Sequence, residues 1–195
     1  GYGMRTPYRV VTGAKPRTVF TREEPRLSEL QLDMGVRIPL ANWAPDRPVN
    51  GQHPYASWIL DLPVRGADGR LGFAPALLQR NADSAGDYLP LTRANLIRQS
   101  FKFLGERYRG GHDYGARDCS GFVSEVYRSL GIDLPRNTGD QARSPVLGGR
   151  TFAAGDDDAR AAAVAALQVG DLVYIPGHVM LVIGHVDSAP YVIHD

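Results

Sequence analysis

The chain is poor in cysteine, in lysine and in long hydrophobic runs. It has a single cysteine, Cys119, among 195 residues, which excludes an internal disulfide framework and any site built from several thiolates. No stretch approaches the roughly 18 consecutive apolar residues that suggest a membrane-spanning helix. Lys15 and Lys102 are the only lysines; the remaining basic residues are arginines, which we attribute to genome composition.

An excess of charge of one sign is also lacking. Lysine and arginine total 22 and aspartate and glutamate 21, which leaves a formal net charge of +1. Nothing electrostatic therefore points to nucleic acid or an anionic membrane as a partner. The hydrophobic fraction of 43% and the charged fraction of 22% are ordinary for globular proteins. Residues 1–11 lack the charged-then-apolar layout of a signal peptide. Export stays open as an alternative, because a signal peptide is removed from a mature exported chain.

The first part of the chain predicts a small β domain. Short apolar runs lie at residues 10–13, 36–40, 57–64 and 71–73. Residues 67–70 form a hairpin turn signal between the last two runs. This spacing favours a small barrel or sandwich, with the prolines on edge strands. We expect Trp43, Tyr55 and Trp58 to build its core, with contact to a glycan or a peptide as the alternative.

After a polar connector at residues 81–87, the pattern becomes helical. Thr92 is placed to cap a helix that runs to about Leu104. A second helix begins near Cys119, because apolar residues then recur at spacings of three and four and line one face. Residues 156–158 are acidic and precede an Ala-rich stretch, which predicts a third, short helix.

The end of the chain predicts antiparallel strands. They are expected at residues 171–175, 178–183 and 191–194. Helices followed by such strands make an α+β pattern. Because a domain rarely ends inside a core strand, we expect the domain to continue beyond Asp195.

Cys119 and two histidines are the candidates for catalytic chemistry. At the first turn of a helix, unpaired N–H groups and the positive end of the dipole favour a thiolate. Such a nucleophile needs a proton-shuttling partner, typically histidine. His178 begins an otherwise apolar strand, where an imidazole is hard to bury without a polar partner, and His194 on the next strand is a candidate for orienting it. The alternative is that Cys119 is a small buried hydrophobic residue.

Residues 118–123, Asp-Cys-Ser-Gly-Phe-Val, resemble the nucleophile motif of the NlpC/P60 cysteine peptidases, the cell-wall γ-D-glutamyl endopeptidases. The likeness continues in the family's order through residues 91–99, the Tyr-Gly-Gly loop at 104–111, residues 131–138 with Gln141, the strands at 170–173 and 177–179, and residues 191–194. It covers the chain from residue 91 to its end. Arg109 is a departure, since it stands where the family has an aromatic residue before the Gly-Gly pair.

Residues 20–24, 32–35, 68–73 and Trp58 resemble the bacterial SH3-like (SH3b) module that often precedes this peptidase domain. The two resemblances together imply an α+β protein. An SH3-like β-barrel at residues 10–82 would be followed by a papain-like NlpC/P60 domain at 88–195, with helices packed on an antiparallel sheet.

The resemblance implies Cys119 as the nucleophile, His178 as the base and His194 as the orienting third member. The implied enzyme is a thiol protease that hydrolyses the γ-D-glutamyl–L-Lys or γ-D-glutamyl–diaminopimelate bond of murein stem peptides. It implies no metal and no organic cofactor. Peptidoglycan stem peptides are the implied partner, and the bacterial envelope, periplasmic or secreted, is the expected compartment, with cytoplasmic peptide recycling as the alternative.

Three further residues match substrate-contacting positions of the family. Tyr108 matches the loop tyrosine that assists at the oxyanion, and its alternative is an ordinary core aromatic. Asp118 and Ser120 match residues that contact the amino-terminal side of the substrate, although Asp118 also fits a helix N-cap. Two other functions stay open: a catalytically silent wall-binding protein that uses the SH3-like module, and a Cys/His amidase or acyltransferase of the same fold.

Overall fold

The computed structural model describes the backbone of residues 1–195 and the side chains of all of them except His112 and Asp113. The chain divides into two units, Gly1–Leu89 and Pro90–Asp195. The assignment of residues 10–82 and 88–195 to an SH3-like module and a peptidase domain stays a prediction at this point. Among the described residues, no helix has the length and apolar character needed to cross a membrane.

The first unit consists of short antiparallel strands and 3-10 turns. Its strands are β1 (Tyr8–Val11), β2 (Arg37–Pro39), β3 (Ser57–Arg65), β4 (Leu71–Gln79) and β5 (Ser84–Ala85), and its 3-10 turns are Tyr2–Met4 and Pro25–Leu27. They form one sheet in the order β2-β1-β5 and a separate β3-β4 hairpin. The predicted hairpin turn is confirmed: Gly69 has a φ of 79°, in the left-handed region that glycine adopts without a steric penalty.

These sheets are not closed into a barrel, so the expected SH3-like barrel is not confirmed. An isolated bridge pairs Leu40, just after β2, with Leu60 in β3. The β1 and β2 strands are four and three residues long, which limits the ladder that they can form. Pro63 in β3 and Pro75 in β4 lack the N–H that a further neighbouring strand would need.

The core of the first unit is aliphatic. Its buried members are Val11, Leu27, Leu32, Ile38, Leu60, Leu62, Ala76 and Leu78. Trp58 is half-buried and packs against them, as its predicted core role requires. Tyr55 is 85% exposed, so the expectation that it builds the core is wrong. Tyr55 lies in the turn that precedes β3. It is therefore not on the face of a strand that points into the core.

The second unit combines helices with an antiparallel sheet, as the α+β pattern predicts. Its helices are α1 (Arg93–Phe101), α2 (Cys119–Arg128), α3 (Thr138–Ala142) and α4 (Asp157–Ala165), with 3-10 turns at Gly110–Gly115 and Pro145–Leu147. Its strands are β6 (Leu172–Ile175), β7 (His178–Val186) and β8 (Ala189–Ile193). They pair antiparallel in the order β6-β7-β8, and α2 packs on β7.

The helix starts agree with the prediction better than the helix ends. Thr92 caps α1, and its Oγ1 accepts a hydrogen bond from the backbone N–H of Asn95 at 3.2 Å. The helix ends at Phe101 rather than near Leu104, because the N–H groups from Lys102 to Leu104 bond to carbonyls three residues back, which tightens the last turn into 3-10 geometry. The five-residue α3 was not predicted, since it is too short to show a helical period.

Candidate active site

Cys119 is the first residue of α2, as the sequence predicts. Its neighbour Asp118 is the N-cap, and one carboxylate oxygen accepts a hydrogen bond from the N–H of Gly121 at 2.8 Å. Cys119 is 4% exposed. Its Sγ lies 3.7 Å from Oγ1 of Thr138 and 3.9 Å from the carbonyl oxygen of Gly177. The thiol therefore faces the residue that directly precedes His178.

The structure brings the two candidate histidines together. His178 is the first residue of β7, and His194 follows the last residue of β8. Their rings meet edge to face, with centroids 5.0 Å apart and planes at 86°. The register pairs Leu181 with Ile193, so His194 continues opposite Met180, on the same side of the sheet as His178 because side chains alternate with a period of two.

Asp118 is the centre of the hydrogen bonds around the nucleophile. One carboxylate oxygen accepts from the N–H of Gly121 and from the hydroxyl of Ser120 at 3.3 Å, and the other accepts from the N–H of Gly111 at 3.1 Å. Arg136 donates to both oxygens, at 3.1 and 2.7 Å. Burial alone would raise the pKa of Asp118, but the hydrogen bonds from Arg136, Gly121 and Gly111 outweigh it and hold the pKa below its ordinary value.

Tyr108 belongs to the same cluster and is not a core aromatic. It forms a parallel bridge with Arg117, and the next residue, Arg109, donates its N–H to the carbonyl of Arg117 at 2.8 Å. The side chain is 55% exposed. Its pKa is raised by partial desolvation and, after that, by the negative charges of Cys119, Asp118 and Asp195. A tyrosine phenol is protonated at neutral pH, so it can donate a hydrogen bond.

Arg117, the residue before Asp118, is buried next to this cluster. The sequence did not predict a role for it. Its side chain is 1% exposed and forms ion pairs with Glu106 at 2.9 Å and with Glu125 at 2.8 Å. The guanidinium also lies over the ring of Phe103, 4.6 Å from its centroid. Because Arg117 directly precedes Asp118, these contacts hold the backbone that leads into the nucleophile.

Two more residues of the cluster, Arg136 and Gln141, lie in a segment that resembles the family, but the sequence does not predict their contacts. Gln141 is buried, and its Nε2 donates to the carbonyl of Pro135 at 2.8 Å and to the hydroxyl of Ser124 at 3.0 Å. These bonds tie the segment before α3 to α2. The sequence shows only that residue 141 is polar. A lone glutamine has no spacing to other residues that would predict its contacts.

Comparison with known families accounts for this arrangement. Residues 105–188 match the family described as NlpC/P60. The second unit contains an NlpC/P60 family domain. Members of this family are generally cysteine peptidases that act on cell wall peptidoglycan. The matched stretch of the NlpC/P60 domain includes Tyr108, Asp118, Cys119, Ser120 and His178 and ends before His194.

Solved structures support the same fold for the NlpC/P60 domain and its preceding unit. An NlpC/P60 family protein from Bacillus cereus is 23% identical, with a TM-score of 0.59 over 96% of this chain and 58% of that one. An NlpC/P60 endopeptidase from Photobacterium damselae subsp. piscicida is 17% identical, with a TM-score of 0.67 over 96% of this chain and 40% of that one. At these identities the likeness concerns the fold alone. None of the curated proteins compared with the chain matches it.

The NlpC/P60 domain has no evident metal site in its described part. Among the residues whose side chains are described, no three His, Cys, Asp or Glu residues are grouped so that they could hold a metal ion. The roles of Cys119, His178 and His194 as nucleophile, base and orienting residue stay predictions, and the geometry gives the contacts on which they can be tested.

Proposed function

We propose that the protein is a cysteine peptidase that hydrolyses the γ-D-glutamyl–L-Lys or γ-D-glutamyl–diaminopimelate bond of murein stem peptides. The observation that carries the proposal is the placement of Cys119 at the start of α2, with its thiol 3.9 Å from the carbonyl of Gly177 and with His178 next in the chain. The contact between His178 and His194 supports the proposal that His194 is the third member of the site.

In the proposed reaction the Cys119 thiolate attacks the carbonyl carbon of the γ-amide. The C–N bond breaks, the His178 imidazolium gives its proton to the leaving amine, and a thioester to Cys119 remains. Water then attacks the thioester with His178 as general base. The γ-carboxylate is released and the thiolate is restored. His194 would hold the imidazole of His178 in a productive orientation.

Tyr108 is the proposed side-chain donor to the oxyanion of both tetrahedral intermediates. The side chain is 55% exposed, and a tyrosine phenol is protonated at neutral pH, so it can donate a hydrogen bond to a developing negative charge. Its bridge with Arg117 fixes the backbone of the loop relative to α2. A fixed donor costs little reorganisation when the charge develops.

The proposal is tested by mass spectrometry of L-Ala-γ-D-Glu-L-Lys and of its diaminopimelate counterpart after incubation with the purified protein. We expect release of L-Ala-D-Glu by the wild type and none by Cys119→Ala. A Cys119→Ser variant serves as the isosteric control. Absence of cleavage of both peptides by folded wild-type protein would contradict the proposal, and transfer of the acyl group to an added amine in place of hydrolysis would favour the acyltransferase alternative.

An aromatic cavity in the first unit favours wall binding as a second function. This cavity has a volume of about 620 Å³ and is lined by Trp43, His53, Tyr55, Trp58 and Arg80, among others. Aromatic faces beside polar groups suit glycan or peptide ligands. If the peptides above are not cleaved and Cys119 is inert to alkylation, the chain is better explained as a silent wall-binding protein.

We propose the bacterial envelope, periplasmic or secreted, as the compartment, because peptidoglycan is the substrate proposed here. Cytoplasmic recycling of stem peptides is the alternative. Fractionation of cells that produce the full-length natural protein, with detection by antibody, distinguishes the two compartments.

A further inference from the structure

Two arginines lie against the ring of Trp58, which lines the aromatic cavity of the first unit. The central guanidinium carbon of Arg80 is 4.3 Å from the ring centroid, and that of Arg9 is 4.4 Å from it. Arg80 lines the cavity itself. Arg9 is held by hydrogen bonds that its Nε and Nη2 donate to Ser84. The Trp58 ring attracts both cations, and this places two positive charges at the lining of the cavity.

A third arginine lies against the other tryptophan of the cavity lining. The central guanidinium carbon of Arg47 is 4.2 Å from the ring centroid of Trp43. The indole N–H of Trp43 donates a hydrogen bond to the backbone carbonyl of Arg47 at 3.1 Å, which fixes this backbone beside the ring. Trp43 lines the same cavity as Trp58. Both tryptophans of the chain therefore hold cations at this cavity.

These positive charges are not neutralised by a carboxylate of the described residues. None of the three arginines forms an ion pair with such a residue, and the described lining of the cavity contains no aspartate or glutamate. The side chains of Arg47 and Arg80 are exposed, and neither donates a hydrogen bond to a residue that the structure describes. The pKa of Arg9 is lowered, first by burial and then by the positive charge of Arg80, because a like charge nearby disfavours the charged form. An anion bound here would relieve this repulsion.

We propose that the aromatic cavity is an anion site that binds the carboxylate or phosphate groups of a wall polymer, with Arg80 as its principal donor. Both groups present pairs of oxygens that match two parallel N–H groups of a guanidinium. The tryptophans position the cations, and the cations contact the ligand. The inference rests on wall binding, the second function proposed above, and names the chemistry that the cavity recognises. We expect carboxylate to be the group that is bound, because the stem peptides of peptidoglycan carry it.

The test measures co-sedimentation of the full chain with three preparations of one insoluble bacterial wall. The chain carries Cys119→Ala, which prevents the proposed cleavage. The first preparation is the intact wall, and the second has been freed of phosphodiester-linked polymers with hydrofluoric acid. In the third, the carboxylates of the second have also been converted to neutral amides with a carbodiimide and glycinamide. We define the anion preference as the affinity for the first preparation divided by the affinity for the third.

We expect an anion preference of about fivefold, which is the upper end of what one partly exposed ion pair contributes. The fall in affinity should come at the last step, where the carboxylates are neutralised. A fall at the first step instead would support the anion site and identify phosphate as the bound group. Equal affinity for all three preparations would overturn the proposal, and so would the absence of binding to any of them.

Four variants make this test specific to the cavity. Arg80→Met should lose most of the anion preference, and Arg47→Met should reduce it. Arg80→Lys should keep part of it, since lysine retains the charge and loses the planar pair of N–H groups. Arg70→Met is the control, because Arg70 is an arginine of the same unit outside the cavity lining, with a side chain that is 88% exposed and paired with Asp68 at 3.6 Å. It should keep the full preference. An unchanged preference in folded Arg80→Met would overturn the proposal.

Cleavage of L-Ala-γ-D-Glu-L-Lys, measured with Cys119 present, separates this inference from the proposed functions. We expect Arg80→Met to cleave the peptide at the wild-type rate. An anion preference without cleavage by the wild type contradicts the peptidase and leaves the anion site standing. Cleavage without an anion preference contradicts the anion site and leaves the peptidase standing. Equal, measurable binding to all three wall preparations contradicts the anion site and leaves wall binding standing.

Discussion

The carboxylate of Asp118 accepts hydrogen bonds from three separate parts of the chain. The donors are the loop at Gly111, the first turn of α2 at Ser120 and Gly121, and the segment before α3 at Arg136. Burial favours the neutral acid, and these donors favour the charged carboxylate. The effect of the donors is the larger, so the pKa of Asp118 is lowered. One residue thus joins the segments that surround Cys119, which is more than the helix N-cap expected from its position.

Asp118→Asn should therefore destabilise the protein in a pH-dependent way. The pKa of Asp118 is lower in the folded protein than its value of about 3.9 in an unfolded chain. The charged carboxylate contributes stability above that unfolded value, and the contribution is lost as the pH falls through the folded value. We expect a loss of about 1–2 kcal/mol at pH 7 in urea unfolding, from the charge-assisted hydrogen bonds, and a smaller loss at pH 3.

The matched control for this prediction is Asp133→Asn. Asp133 is an exposed partner of Arg128 at 3.6 Å, and such surface pairs contribute little. Its variant should unfold within about 0.5 kcal/mol of the wild type at both pH values. A deficit in Asp118→Asn that stays constant from pH 7 to pH 3 would show that the charge of Asp118 is not what stabilises the turn.

At the scale of elements, the start of α2 is held by a buried cluster of charges. Arg117 lies between Glu106, which precedes the Tyr108 loop, and Glu125, which lies about one and two-thirds turns into α2. A buried ion pair is weak evidence for net stabilisation, because desolvation offsets much of the attraction. Removing one partner is different, since it leaves uncompensated charge in the interior.

Arg117→Met should lower the free energy of unfolding by about 3–5 kcal/mol, because it removes the positive charge that the buried Glu125 and the partly buried Glu106 share. The measurement is urea unfolding followed by circular dichroism. Arg128→Met, at an arginine that is 37% exposed, is the control and should change the free energy by less than about 0.5 kcal/mol. A loss below about 1 kcal/mol for Arg117→Met would mean that the cluster adds little to the stability of the fold.

How far the elements can be predicted depends on how local their causes are. The starts of α1 and α2 follow from Thr92 and Asp118, since an N-cap acts within three residues. The 3-10 end of α1 and the short α3 carry no such signal. The closed barrel is not confirmed, because strand spacing indicates strands without fixing which of them pair.

The same distinction applies to the candidate site. Cys119, His178 and His194 stand out because each residue type is unusual where its element places it. Arg117 and Arg136 do not, since arginines are numerous in this chain and their contacts join residues 8 to 18 positions apart. Their importance arises from packing between elements, which no spacing within one element encodes.

At the scale of the whole molecule, the chain combines two units with different chemical features. The aliphatic core that contains Leu60 lies wholly in the first unit. The cluster around Cys119 lies wholly in the second unit. The aromatic cavity also belongs to the first unit. Binding of the wall and cleavage of a soluble peptide should therefore respond to different substitutions.

Tyr55→Ala tests this separation. Tyr55 lines the aromatic cavity and is 85% exposed, so its removal should leave the core intact. In a co-sedimentation assay, we expect the variant of the full chain to bind insoluble peptidoglycan with an affinity about fivefold lower, which is the loss expected of an aromatic contact residue. Its rate of cleavage of the soluble tripeptide should stay within about twofold of that of the wild type. Leu71→Ala, at an exposed apolar residue of the same unit outside the cavity, should change neither measurement. Equal binding of Tyr55→Ala and wild type to peptidoglycan would show that the cavity does not bind the wall, because Tyr55 is an exposed aromatic residue of its lining.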